Sequence, residues 1–334
     1  MAEVNDAPDM RRLVAGLGQQ MEEALKVPVA NAPVHVGEHR GVVVLGMGGS
    51  GIGGAVLADV LRSTCPVPFQ AVSDQVLPGW VDASCLVVAS SYSGNTEETL
   101  AALDEAESRG CTIAAVTSGG QLAKRAAQGG WPVVTMPGGN PPRSQFGRSF
   151  LGLCALMHAM GVLSKASWAD LQTAVANLDG PSAEERGEAL AFAVEGKNIY
   201  LYGDTPMRGL LTRWRQQLNE NSKVLANVEV FPEMNHNELV GWESGDSSCV
   251  AVIVRTPADH PRTQLRMDIT ATVFQDQGAD VIEVEPDGDS EWARLLDAVW
   301  VGDWMSLVLA EKANVDPVDI RFIDHLKNTL AGHS

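Results

Sequence analysis

The residues Ser91-Tyr92-Ser93-Gly94-Asn95-Thr96-Glu97-Glu98-Thr99 follow directly on the apolar run Leu86-Val87-Val88-Ala89. That order predicts a strand ending in a hydroxyl-rich turn that opens a helix. Hydroxyls from Ser91, Ser93 and Thr96, set among the unpaired N–H groups of a helix start, suit a dianionic phosphate. An ordinary helix start competes with this reading, because Asn95 followed by Glu98 also fits a capping box. A second loop of the same kind lies upstream, where the apolar Gly41 to Leu45 runs into Gly46-Met47-Gly48-Gly49-Ser50-Gly51-Ile52-Gly53-Gly54. Two such loops at the carboxyl ends of neighbouring parallel strands face one crevice. Gly49, Ser50, Ser91, Ser93, Gly94, Asn95 and Thr96 are therefore the candidate phosphate ligands. The upstream loop also matches G-x-G-x-x-G through Gly46, Gly48 and Gly51, with Asp74 at the spacing of a ribose-binding acid, so a dinucleotide enzyme stays an alternative.

Both loops together resemble sugar isomerase domains, which bind phosphosugars through a Ser/Thr-rich turn. Further along, Pro142-Arg143, Asn219-Glu220-Asn221-Ser222-Lys223, Glu233-Met234-Asn235-His236-Asn237-Glu238 and Ile323-Asp324-His325-Leu326-Lys327 are similar to the archaeal-type bifunctional phosphoglucose/phosphomannose isomerases. The resemblance implies an aldose/ketose phosphate isomerase acting on a hexose 6-phosphate. It implies Glu220, His236, Lys327 and Arg143 as catalytic residues, no cofactor, and a homodimer in which His236 reaches the neighbouring subunit's site. In those isomerases a threonine shortly before the C-terminal lysine goes with acceptance of the mannose epimer. Residues 317–326 here contain neither Ser nor Thr, so the resemblance carries the glucose reaction and leaves the mannose one open.

The chemistry sorts these residues by type. Moving a proton between C1 and C2 asks for a carboxylate within reach of both carbons. Read locally, Glu220 is a helix glutamate paired with Lys223 at i,i+3, and only the resemblance gives it the proton transfer. His236 lies in a polar loop where an imidazole can shuttle protons during ring opening. The resemblance assigns ring opening to Lys327 as well, which is otherwise a solvent-facing lysine on a C-terminal helix. Arg143 would set a fixed positive charge beside the enediolate oxygens. Metal chemistry is not expected, since His35 and His39 flank a Gly-Glu step with no further ligands nearby.

The chain has 334 residues, enough for two domains, and 42 acidic against 24 basic residues give a net charge of −18. That balance argues against nucleic acid or an anionic membrane as a partner. An anionic substrate must then be held by a local site against the global field. Five scattered cysteines without C-x-x-C spacing point to neither a disulfide framework nor a zinc site. The polar, acidic N-terminus and the lack of a long apolar run make cytoplasm the expected location.

Leu13, Leu17, Met21 and Leu25 predict an amphipathic N-terminal arm. Strands are predicted at Val42 to Leu45, Leu86 to Ala89, Ile113 to Val116 and Val133 to Met136, with helices around Val56 to Leu61, Leu100 to Ala106 and Leu122 to Ala127. The Pro/Gly-rich Pro137 to Pro142 breaks the pattern, and Phe150 to Leu163 reads as an apolar helix. The theme then repeats with strands at Ile199 to Tyr202, Val228 to Phe231, Val250 to Val254 and Val281 to Val284, and helices around Leu210 to Leu225, Gln264 to Phe274 and Trp292 to Leu309. The expected fold class is α/β, two doubly wound parallel-sheet domains of flavodoxin-like type related by duplication. Residues 1–150 would carry the arm and the phosphosugar site. Residues 151–334 would carry a linker helix, the second sheet and a C-terminal helix, with catalytic groups and a dimer surface. A non-catalytic phosphosugar sensor is the alternative that keeps the first domain's chemistry without turnover.

Overall fold

A computed structural model describes residues 9–33 and 39–333. Nine strands form two all-parallel sheets among these residues. The first contains β1 (Gly41–Leu45), β2 (Phe69–Val72), β3 (Cys85–Ser91), β4 (Thr112–Thr117) and β5 (Val133–Thr135), in the order β2-β1-β3-β4-β5. The second contains β6 (Asn198–Asp204), β7 (Ala226–Phe231), β8 (Cys249–Val254) and β9 (Asp280–Val284), in the order β7-β6-β8-β9. Both orders place the first strand of the unit second from one edge, with the next strand on one side and the third on the other, so each sheet has a switch point at its carboxyl edge, between β1 and β3 and between β6 and β8.

Every strand predicted from the sequence forms. The strand that the pattern missed, β2, has only one buried residue, Val72, because it is an edge strand and its apolar signal is short. The central strands read as continuous apolar runs because both faces are covered. In β1 and β3, Val42, Val44, Leu86 and Val88 face one core, while Val43, Leu45, Val87 and Ala89 face the helices Glu97–Ser108 and Gly120–Gly129. The first of these cores continues without a break to Leu201, Val250, Val252 and Val254 of the second sheet. The helix Glu291–Lys312 runs through it, buried on all sides from Leu295 to Ala310. The polar residues buried with it, Asp297, Asp303 and Ser306, are each hydrogen-bonded to a neighbouring element.

Close approaches between elements explain several glycines. A Cβ at Gly302 would lie 2.1 Å from the Trp214 ring nitrogen, and one at Gly187 would lie 2.4 Å from Trp304 Cβ. The helix Phe146–Ala159 lies on the first sheet, where Gly152 meets Val116 and Val134. The arm consists of two short helices, Met10–Ala15 and Leu17–Ala24, and its stripe of Met10, Val14, Leu17 and Met21 is core. The helix expected from Leu210 to Leu225 stops earlier. It passes from Arg208–Gln217 into a π-helical turn, Leu218–Ser222, and ends at Lys223 with φ +61°. No described helix is long and apolar enough to cross a membrane.

Candidate functional site

The loop after β1 starts the helix Gly48–Val60 at Met47, and the loop after β3 starts the helix Glu97–Ser108 at Thr96. Neither start has a side-chain cap. The capping box that Asn95 and Glu98 might have made is therefore not formed. Asn95 Oδ1 instead accepts from the Gln121 backbone N–H at 3.0 Å. Two open helix N-termini, each a partial positive charge with unpaired donors, thus stand at the first sheet's switch point.

Their hydroxyls are organised rather than loose. Ser50 Oγ accepts from the Tyr92 N–H at 2.9 Å, and Ser90 Oγ donates to the Ser50 carbonyl at 2.9 Å, which ties the two loops together. Ser91 Oγ lies 2.9 Å from Thr96 Oγ1 and accepts from the Gly94 N–H at 3.1 Å. Gly94 has φ +67°, and a Cβ there would fall 1.9 Å from the Gly119 carbonyl oxygen. Only glycine fits that turn. A Cβ on Gly49 would fall 2.9 Å from the Arg143 backbone nitrogen, so the Gly loop lies close against the turn that carries the arginine.

A cavity of about 570 Å³ opens onto these groups. Gly49, Ser50, Ser93, Asn95 and Thr96 line it together with Arg143, Glu220 and Lys327. Ser91 and Gly94 are fully covered and stand behind this wall, supporting Thr96 and the turn. Tyr92, Ile320 and Ile323 also line the cavity, as do the carboxylate-bearing Glu97 and Glu98 of the second helix start. Asp74 is not part of it; its carboxylate accepts from the Gln75 and Val76 N–H groups in its own exposed turn.

Arg143 is 3% exposed, and three of its N–H groups are engaged. Nε donates to Asn221 Oδ1 at 2.8 Å, Nη1 to Glu220 Oε2 at 3.1 Å, and Nη2 to the Pro317 carbonyl. Burial pulls the Arg143 pKa down and the Glu220 carboxylate opposes it, so the pair keeps a charged guanidinium in a dry place. Lys223 does not pair with the Glu220 carboxylate. It donates to the carbonyls of Glu220 at 2.6 Å and Asp316 at 2.8 Å, and burial followed by the Arg143 charge lowers its pKa. The Glu220 carboxylate is left to Arg143 and the cavity. π-helical turns of this kind recur at functional sites, and a helical reading of the sequence had no means of finding one.

His236 is exposed and outside the cavity, in the turn Glu233–His236 that follows β7. Its neighbours fix that turn: Asn235 Nδ2 donates to Thr270 Oγ1 at 2.9 Å, and Glu238 accepts from the Tyr202 hydroxyl at 2.5 Å. Burial raises the Glu238 pKa. Burial lowers the His39 pKa, His35 lies outside the described residues, and no cluster able to hold a metal ion exists among the described ones.

The family model that describes the bacterial phospho-glucose isomerase C-terminal SIS domain matches residues 183–330. A bifunctional phosphoglucose/phosphomannose isomerase of Caldicellulosiruptor bescii is 36% identical over 302 residues, covering 87% of this chain and 89% of that one. The Aquifex aeolicus protein of the same name is 36% identical over 301 residues, covering 89% and 92%. Among solved structures, the C-terminal domain of glucosamine-fructose-6-phosphate aminotransferase from Francisella tularensis superposes with a TM-score of 0.75 at 12% identity, over 95% of this chain and 99% of that one. That likeness is one of fold, two parallel sheets of the sugar isomerase type. On the sequence relationships, which run over most of both chains, this protein belongs to the bifunctional phosphoglucose/phosphomannose isomerase family.

Proposed function

We propose that this chain interconverts fructose 6-phosphate with glucose 6-phosphate, and with mannose 6-phosphate as the relatives' names describe, by proton transfer through a cis-enediolate. The observation that carries the reading is the Arg143–Glu220 pair, which lines the same cavity as the residues of two uncapped helix N-termini. The helix starts, with Gly49, Ser50, Ser93, Asn95 and Thr96, would hold the phosphate. Ser91 and Gly94 would hold Thr96 and the turn in place. Glu220 would take the proton from one carbon and return it to the other, while the guanidinium beside it stabilises the enediolate oxygens.

Lys327, on the helix Arg321–Ala331 at the cavity's rim, would assist ring opening. His236 is exposed and does not line this cavity; its part would be played in a partner's site in a homodimer. In this division the first 150 residues hold the phosphate and Arg143, and the remainder supplies Glu220, Lys327 and His236. No step needs a cofactor or metal.

The test is turnover of fructose 6-phosphate by the parent protein and Glu220→Gln in EDTA, with glucose 6-phosphate and mannose 6-phosphate assayed separately. We expect both products from the parent and a loss of about 10²–10⁴-fold in kcat for Glu220→Gln. The product ratio reads the epimer preference of a chain whose residues 317–326 carry neither Ser nor Thr. Sugar-phosphate binding without product from the parent would sink the isomerase reading and favour a sensor.

A further inference from the structure

Arg143 comes from the first half of the chain, yet its orientation is set by the second. Its Nε donates to Asn221 Oδ1 at 2.8 Å, Asn221 Nδ2 donates to Ser306 Oγ at 2.9 Å, and Ser306 Oγ donates to the Asp303 carbonyl at 2.8 Å. All four residues are buried, Asn221 and Ser306 completely. A guanidinium has only donors, so the amide oxygen must face it and the amide nitrogen must face Ser306. The direction of the whole chain of bonds follows from that one fact.

The same helical turn also holds the arginine's backbone. Arg213 Nη2 pairs with both oxygens of Asp303, at 2.6 and 2.7 Å, and reaches the Arg143 carbonyl at 3.4 Å. Gln217 Nε2 donates to Asp303 Oδ1 at 2.8 Å, and Ser222 Oγ donates to the Ser306 carbonyl at 2.5 Å. Asn221 sits next to Glu220 in the π-helical turn, so one short segment presents a carboxylate and an amide to two edges of the same guanidinium.

We infer that Asn221, backed by Ser306, is a positioning residue that aims the Arg143 guanidinium into the cavity while adding no charge to it. A carboxylate at this position would accept the same bond but would neutralise the arginine and crowd Glu220 with a like charge. An amide keeps the acceptor and leaves the charge for the substrate. The inference rests on the reading that Arg143 and Glu220 serve the isomerisation.

Steady-state kinetics on fructose 6-phosphate test it with Asn221→Ala, Asn221→Asp, Ser306→Ala and Arg143→Lys. Asn221→Ala should lower kcat roughly 10- to 100-fold, the scale of a small misplacement in a site, with KM changed less than about threefold because the phosphate loops are untouched. Asn221→Asp should move the acid limb of the kcat–pH profile to higher pH, since two adjoining carboxylates retain a proton more readily than one. A purely structural asparagine would lower Tm but leave kcat per folded site and the pH profile at parental values, and that result overturns the inference. If Asn221→Ala does not fold, Ser306→Ala is read by the same criteria, with a loss of a few-fold in kcat expected and parental kcat overturning the idea. Arg143→Lys separates the two levels. Its collapse beside a parental Asn221→Ala defeats only the positioning role, whereas parental Arg143→Lys defeats the reading beneath it.

Discussion

The switch points of the two sheets are built on the same plan and closed in different ways. In the first, the helices after β1 and β3 begin without side-chain caps, and serine and threonine hydroxyls stand around an open cavity. In the second, the chain supplies its own anions. Asp204 accepts from the N–H of Thr205 at 2.8 Å and of His260 at 3.3 Å, and Asp259 accepts from the Thr256 N–H and hydroxyl, both at 2.8 Å. His260 Nδ1 accepts from the Arg262 N–H at 3.1 Å, and burial, with Asp204 nearby, raises the Asp259 pKa. The electrostatic demand of a helix start is the same in both places. One sheet answers it with carboxylates that accept from loop N–H groups, and the other leaves the helix starts uncapped, with Glu97 and Glu98 in the first turn of one of them.

The sharpest way to break this contrast is Gly94→Ala. A methyl group at φ +67°, 1.9 Å from the Gly119 carbonyl, cannot be seated without moving the turn. We expect a loss of about 3 kcal/mol or more in stability and no measurable binding of sugar phosphate, read by chemical denaturation and calorimetry. Retained binding would show that the turn is not the phosphate cradle.

The joint between the two regions is next. Asp59, on the helix Gly48–Val60, accepts from the Gly209 N–H at 2.6 Å, and burial pushes its pKa up to about 6. Its folded-state pKa exceeds the unfolded value, so the folded protein holds this proton more tightly. The associated stability is fully present below about pH 4 and is lost as pH rises to about 6. Asp59→Asn keeps the acceptor and removes the titration. It should be more stable than the parent by roughly 2–3 kcal/mol at pH 7, with the two converging near pH 4 in denaturation curves. A constant difference across that range would contradict the assignment.

In the second switch point, Asp259→Ala leaves the Thr256 N–H and hydroxyl without their partner. It should cost about 1–3 kcal/mol and leave the KM for sugar phosphate unchanged. A raised KM would mean that the two switch points are not functionally separate. The smallest effect is expected from Thr96→Val, which removes one hydroxyl at the open helix start and should raise KM by about tenfold, near 1.4 kcal/mol of binding, with little change in Tm. Equal KM for Thr96→Val and the parent would remove Thr96 from the phosphate site.

The strand pattern, the glycine and serine loops and the order of the family motifs were readable in the chain. Apolar runs on a period fixed by burial, and residue types suited to helix starts, are properties of local sequence. The edge strand β2 escaped because a half-covered strand leaves little pattern. The roles within the hydroxyl set were not local either: Ser91 resembles Ser93 by type, yet it lies behind the wall, bound to Thr96 and the Gly94 N–H. Glu220 with Lys223 read as an i,i+3 pair, and the π-helical turn undid it by sending Lys223 to backbone carbonyls and the carboxylate to Arg143.

The sequence by itself determined where the central strands run and that the loops of the second sheet lack the hydroxyl-plus-glycine chemistry of the first, because strand patterns and turns depend on residues a few positions apart. Tertiary structure decided which of those residues share a cavity. Arg143 meets Glu220 across 77 positions and rests on a turn of the helix Glu291–Lys312 through Asn221 and Ser306. Contacts at that separation are set by how two sheets pack around one core, and no local pattern of residues encodes them.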